Sequence, residues 1–330
     1  MPSMAGTATR SVPPRCAADA SRAARPDGYP DEILVTVADE AAALRAVEQG
    51  RIDIDLSRTL GPDDVDRLSV QYPDRVSMPP LAATLLVLLN TTRPPFDHPD
   101  ARRAVAFALD RAALTEAGTG PGVAQPACQI LPPSFPAYEP YCPFTTEPGD
   151  GRWHGPDLDA ARALVARSGT AGAEVSVRTF PEFAPRARRV AATLDAIGYR
   201  ARAEVLSHPE WLAAAYTPDK PSDIQVGVSG WLIDYPAPSS YFEQFRCGSG
   251  DPARFCDPAI DARIDAALEL QAKDPAAADT AWAQLDRELT DRAAWIAFGN
   301  PRGVRLVSER AGNVVHHPVW DVALDQLWVQ

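Results

Sequence analysis

Two short runs, Glu174-Val-Ser-Val-Arg-Thr179 and Arg200-Ala-Arg-Ala-Glu-Val205, alternate in the way a half-buried strand must. Between them Val190, Ala191, Leu194 and Ile197 recur at helical spacing. A strand, a helix and a strand of these lengths form a βαβ unit, so the two strands are predicted to be parallel with a right-handed crossover. That constraint makes this part of the chain α/β.

The same alternation of elements runs through the rest of the sequence. Ile33-Leu-Val-Thr-Val37 reads as a strand, and Glu40 to Gln49 as a helix with Leu44 and Val47 on one face, stopped by Gly50. Ile52 and Ile54 alternate as the next strand, and Gly61-Pro62 opens a helix through about Leu68. Leu81 to Asn90 reads as the crossover between two lobes, ended by Pro94-Pro95. A single helix is expected from about Pro99 to Glu116, with Val105, Ala108, Leu109 and Ala112 inward and Gly118 as its stop. Its charges Arg103, Asp110 and Arg111 suit an ion pair or a helix end better than a ligand. Val123 to Trp153 is a long Pro-rich loop, followed by a helix from Asp157 to near Gly169. Helices at Asp257–Leu270 and Pro275–Asp291 precede returning strands at Trp295–Phe298 and Val304–Val307. At 330 residues the chain exceeds one comfortable core, so two lobes are expected.

One loop stands out for function. The strand-like Asp223-Ile-Gln-Val-Gly-Val228 leads into Gly230-Trp231-Leu-Ile-Asp234-Tyr235-Pro-Ala-Pro238. A rigid Pro-rich turn after a strand fixes side chains at the edge of a sheet, where open α/β folds place ligands. A Trp and a buried-looking Asp beside a turn also serve as core filler and Asx-turn acid, and Trp231–Pro238 alone does not separate the two roles.

Charge and cysteines narrow the class. The net charge is −12, from 44 acidic and 32 basic side chains without a Lys/Arg block, which argues against nucleic-acid binding. No run approaches the roughly 18 to 20 apolar residues of a membrane span. The first 28 residues carry no signal-like apolar stretch and read as a disordered tail that includes Cys16. Cys128 and Cys142 bracket one turn-rich loop, Cys247 and Cys256 another. Two local disulfides are expected there, at roughly 3 kcal/mol each on the loop-entropy model, against the alternative of four reduced thiols. Structural disulfides imply an oxidising location, which conflicts with the missing signal.

The residues give little support to an enzyme. Ser229 lies one residue short of a Gly-x-Ser-x-Gly elbow, and no His–carboxylate pair can be placed beside it. Gly118-Thr-Gly120-Pro-Gly122 lacks the spacing of a phosphate loop. Adjacent His316 and His317 on a strand face opposite sides and cannot chelate one ion together. No catalytic residue, metal or cofactor is expected.

Leu88-Leu-Asn90-Thr-Thr-Arg-Pro-Pro-Phe96-Asp97, then Ala101-Arg-Arg103-Ala-Val-Ala-Phe-Ala-Leu-Asp110-Arg111, together with Gly230-Trp231 to Pro238, resemble family 5 of the bacterial extracellular solute-binding proteins, the peptide and nickel receptors of ABC importers. The resemblance runs over about residues 28 to 330, through Leu131-Pro-Pro133 and the closing strands Asn313–Trp320 and Asp325–Trp328. It implies a periplasmic-binding-protein-like fold of type II with two lobes, the amino-terminal one incomplete. The lobes would divide as tail 1–28, partial amino-terminal lobe 29–95, carboxy-terminal solute-binding lobe 96–295 and return segment 296–330. Pro30–Asp55 resembles a segment that stands much later in longer members, so the chain is expected to be amino-terminally truncated or mis-started. The implied function is capture of a peptide-like solute in an interlobe cleft and its delivery to ABC permease subunits outside the cytoplasm. The alternative is a truncated receptor remnant that acts as a sensor or interaction module. By resemblance Asp234 pairs with the ligand's α-ammonium, Trp231 walls the pocket, Tyr235 supports the loop and Gly230 admits close backbone approach. Ala237 stands where the family's turn commonly has Asn, which departs from the pattern of secondary contacts.

Overall fold

The computed structural model describes residues 29–56, 60–216 and 222–330; the tail expected at 1–28, with Cys16, lies outside the described residues. The helices are α1 (Glu40–Glu48), α2 (Pro62–Gln71), α3 (Pro99–Ala108), α4 (Arg111–Glu116), α5 (Leu158–Ser168), α6 (Ala184–Ala196), α7 (His208–Tyr216), α8 (Ser239–Phe242), α9 (Pro258–Lys273) and α10 (Pro275–Arg292). The strands used below are β1 (Val76–Ser77), β2 (Ala83–Leu89), β3 (Ala124–Pro126), β4 (Glu174–Thr179), β5 (Arg200–Val205), β6 (Val226–Leu232), β7 (Trp295–Pro301) and β8 (Arg305–Leu306).

The described residues form two compact units, those up to Pro79 with Gly303–Gln330, and those from Pro80 to Arg302. These divisions differ from the 95/96 and 295/296 boundaries drawn from sequence, for a reason visible in the larger unit. Its six-stranded sheet has the order β3-β7-β2-β6-β4-β5 among the described residues. The run expected to be a crossover, β2, is an inner strand, antiparallel to both β6 and β7. Every residue of Ala83–Leu89 is buried, as a strand covered on both faces requires.

The βαβ unit forms as the alternation dictates: β4 pairs with β5 in parallel, α6 connects them, and β6 joins β4 in parallel. Val87, Leu89, Phe96, Val105, Val177, Val190, Leu194, Val226 and Val228 share one core. Carboxyl ends of β4 and β6 therefore lie at the same edge of the sheet.

The helix expected over 99–116 is two helices. Leu109 is extended (φ −66°, ψ 119°), and the Asp110 side chain accepts from the Ala113 N–H at 3.0 Å to cap α4. A cap residue that satisfies orphan N–H groups makes such a break cheap. Arg111, next in sequence, is fully buried. Its Nε donates to the carbonyls of Ala127 and Ala297, and its Nη1 to those of Ala106 and Phe144. The role is structural; burial lowers its pKa to about 10, so it stays cationic near neutrality.

In the smaller unit α1 is capped by Asp39, buries Leu44 and Val47, and is followed by Gly50 at φ +68°. Helix α2 continues to Gln71, past the expected Leu68. Among the described residues Ile33–Val37 forms one bridge position, at Val35, and no strand, with Leu34 and Val37 exposed. Ile54 likewise makes only a bridge to Val307. Alternating residues do not make a strand without an edge to pair with. The two segments line an apolar groove of about 620 Å³ with Leu327 and Val329. His316 is half-buried and bonded to Ser77, whereas His317 is exposed and stacks on Trp320, so the pair faces apart as its alternation requires.

Candidate functional site

Strand β6 runs on to Leu232, so Gly230 and Trp231 lie inside it and the loop begins at Ile233. The antiparallel register sets Gly230 opposite Leu85 and Trp231 opposite Thr84. A Cβ at Gly230 would stand 3.3 Å from Leu85 Cδ2, 3.4 Å from the Thr84 carbonyl and 3.7 Å from Phe183 Cζ. The protein's own neighbours thus already crowd this position. Phe183 and Phe180, 5.0 Å apart edge to face, follow β4 at the same sheet edge.

Ser240 organises the turn. The Trp231 Nε1–H donates to the Ser240 carbonyl at 3.1 Å, and the Asp234 N–H donates to Ser240 Oγ at 3.0 Å. Ser240 is buried in α8, directly after the Pro-Ala-Pro run. The Tyr235 hydroxyl donates to Glu243 Oε2 at 3.1 Å, one turn further on. Partial burial is the largest influence on that phenol and raises its pKa, with the Glu243 charge adding to the rise. Trp231 is half-buried, its ring 6.0 Å from that of Trp295 and tilted by 47°.

Asp234 differs from the sequence reading in one respect. Its carboxylate is exposed, not buried, because it projects from the loop beyond the strand end. Among the described residues it makes no hydrogen bond or ion pair, although its backbone is fixed by Ser240. The turn therefore has its backbone tied at Ser240 while the Asp234 carboxylate stands exposed.

The cysteines are joined as Cys128–Cys142 (S–S 1.94 Å) and Cys247–Cys256 (S–S 2.09 Å). A residue that sequence reading passed over pins the first loop: Asp286 on α10 accepts from Gln129 Nε2 (2.7 Å), the Ile130 N–H (2.9 Å) and the Leu131 N–H (3.3 Å). Burial pushes the Asp286 carboxyl up to about 7 against the pull of these donors. In the second loop Asp251, equally unremarked, accepts from Trp295 Nε1 (3.1 Å) and the Ala253 N–H (2.8 Å).

Ser229 sits in β6 opposite Leu86. His98 caps α3, His154 bonds Asp150 and His208 pairs with Glu182. Among the described residues no three His, Cys, Asp or Glu side chains converge to hold a metal ion.

Residues 22–252 match the family model for the bacterial extracellular solute-binding proteins, family 5, middle region. A probable di/tripeptide-binding protein 5 of Pseudomonas aeruginosa is 26% identical over 289 residues, 84% of this chain and 51% of that protein. Heme-binding protein A of Haemophilus influenzae is 26% identical over 70% of this chain and 42% of its own length. Among solved structures, the clavulanic acid biosynthesis oligopeptide-binding protein 2 superposes with a TM-score of 0.80 at 24% identity, over 91% of this chain and 57% of that one. The chain spans about half the length of the curated relatives it matches across most of its own residues.

Proposed function

The chain belongs to family 5 of the bacterial extracellular solute-binding proteins, and on that premise we propose that it is the substrate-binding component of an ABC importer that captures a peptide-like solute. The observation that carries the solute class is the exposed, unpartnered Asp234 carboxylate on a loop whose backbone is tied down at Ser240. Such a carboxylate has room for an α-ammonium group, and a charge-assisted hydrogen bond covered from water by a bound ligand is among the strong ones. Trp231 would wall the ligand, and Tyr235 would stiffen the loop through Glu243. Solute capture needs no catalysis, and delivery would be to permease subunits at the outer face of the membrane. The relatives, a di/tripeptide-binding and a heme-binding protein, favour a peptide ligand, with heme as the other solute.

Calorimetric titration of the chain with free-amino dipeptides and tripeptides, and with their N-acetylated counterparts, tests this reading. Binding of the free-amino forms, with weaker binding once the ammonium is capped, is the expected result. Equal affinity for capped and free forms would overturn the ammonium-pairing reading. Binding of heme with no response to any peptide would overturn the peptide class.

A further inference from the structure

The loop closed by Cys247–Cys256 has its own anchors. Arg246 pairs with Asp265 at 2.7 Å, and the Cys247 N–H donates to Asp261 Oδ1 at 3.1 Å. Beyond the end of β2, the Thr91 N–H donates to the Ala253 carbonyl at 2.8 Å and Thr91 Oγ1 to that of Arg254 at 2.9 Å. These contacts present Asp251, 4% exposed, to the indole of Trp295, 2% exposed. Trp295 in turn packs on Phe245 at 4.9 Å and on Trp231 at 6.0 Å, within the range where aromatic rings interact.

A carboxylate is a costly choice of acceptor here. Removing it from water is penalised, and two N–H donors do not replace a full hydration shell. Burial accordingly pushes the Asp251 carboxyl up to about 7, with the Trp295 and Ala253 hydrogen bonds and the charge of Arg254 opposing. A neutral amide would accept the same indole hydrogen bond at less cost. A local rule broken where a loop meets a candidate site marks a residue whose role exceeds packing.

We propose that Asp251 is a positioning residue for the candidate solute site: the disulfide-closed loop delivers its carboxylate to the Trp295 indole, and Trp295 fixes the ring of Trp231. The inference rests on the reading of Trp231 and Asp234 as solute-binding. From Trp231 the coupling continues through the Ser240 carbonyl to the turn that holds Asp234. Among the described residues, the titratable and charged groups facing Asp251 are Arg254 in its own loop and Tyr216 at the end of α7, whose phenol burial raises to about 12.

The test is ¹⁹F NMR of the whole chain labelled with 5-fluorotryptophan, the Trp231 and Trp295 signals assigned by single Trp→Phe substitutions. In the unmutated chain the Trp231 signal is expected to move between pH 6 and 8, following Asp251. Asp251→Asn keeps an acceptor for the indole and should abolish that movement, leaving Trp231 near one limiting position. Asp251→Ala should displace the Trp295 and Trp231 signals together, and Cys247→Ser with Cys256→Ser should displace Trp231 in the same direction. A Trp231 signal that titrates unchanged in Asp251→Asn overturns the proposal, even if Asp251→Ala fails to fold. So does a Trp295 displacement in Asp251→Ala that leaves Trp231 unmoved. Adding alanyl-alanine separates the two readings. If Trp231 answers to Asp251 but not to the dipeptide, the positioning stands and the peptide reading falls; the reverse outcome sinks the positioning alone.

Discussion

Asp286 and Asp234 put the same carboxylate to opposite uses. Asp286 is buried among donors that hold the Cys128–Cys142 loop to α10, whereas the Asp234 carboxylate is exposed and has no hydrogen-bond partner among the described residues. Burial raises the folded pKa of Asp286 from 3.8 to about 7, so the folded state binds a proton more readily than the unfolded chain. Its contribution to stability is therefore full below about pH 4 and is lost as the pH rises through about 7. Urea unfolding at pH 5 and pH 8 should show the unmutated chain losing stability over that interval, and Asp286→Asn should flatten the loss by about 1 kcal/mol or more. An identical pH dependence in the variant would contradict the assignment. Little at this scale was legible beforehand. Asp286 and Asp251 are single acids amid helical and turn residues, where a lone Asp normally marks a solvated face. Ser240 was missed as well, although a serine just after a Pro-x-Pro turn is a recognisable hydrogen-bonding position. The helix starts were easier: Asp157 and Asp257, read as the first residues of their helices, lie one position earlier and cap α5 and α9.

Among elements, legibility followed how locally each is determined. The βαβ unit formed as read because two alternating runs and a helical stripe leave one arrangement. The single helix over 99–116 failed because the stripe passes through Leu109 unbroken, while the capping competence of Asp110 decides the break. Ile33–Val37 failed for the opposite reason: its alternation is genuine, but pairing is a non-local property. The loop from Cys128 to Cys142 combines both kinds of constraint, a covalent closure and the Asp286 clamp. Peptide mapping without reductant should recover Cys128 linked to Cys142 and Cys247 linked to Cys256. Cys128→Ser with Cys142→Ser should lower the unfolding free energy by roughly 3 kcal/mol on the loop-entropy model. Alkylation of all four thiols in the folded chain would contradict the pairing.

For the molecule as a whole, the larger unit supplies a mixed sheet with the Trp231–Asp234 turn at the carboxyl end of β6, the edge at which α/β sheets bind ligands. Trp295–Phe298 was legible as a returning strand; that β2 pairs with both β6 and β7 was not, because pairing joins residues distant in sequence. Ser229 is set into β6 opposite Leu86, and among the described residues no histidine bonds to it, so hydrolysis of peptides, esters or phosphoesters by the purified chain is not expected. A hydrolytic rate that disappears in Ser229→Ala would overturn that expectation. The central claim is that the free carboxylate of Asp234 recognises a ligand ammonium, and titration calorimetry of Asp234→Ala against a free-amino peptide and its acetylated form addresses it most directly. The account predicts that the free-amino peptide loses about 3 to 5 kcal/mol, the usual cost of orphaning one member of a covered ion pair, or roughly two to four decades of affinity. The acetylated peptide should change far less. Equal losses for both peptides would make Asp234 a structural turn residue and contradict the account.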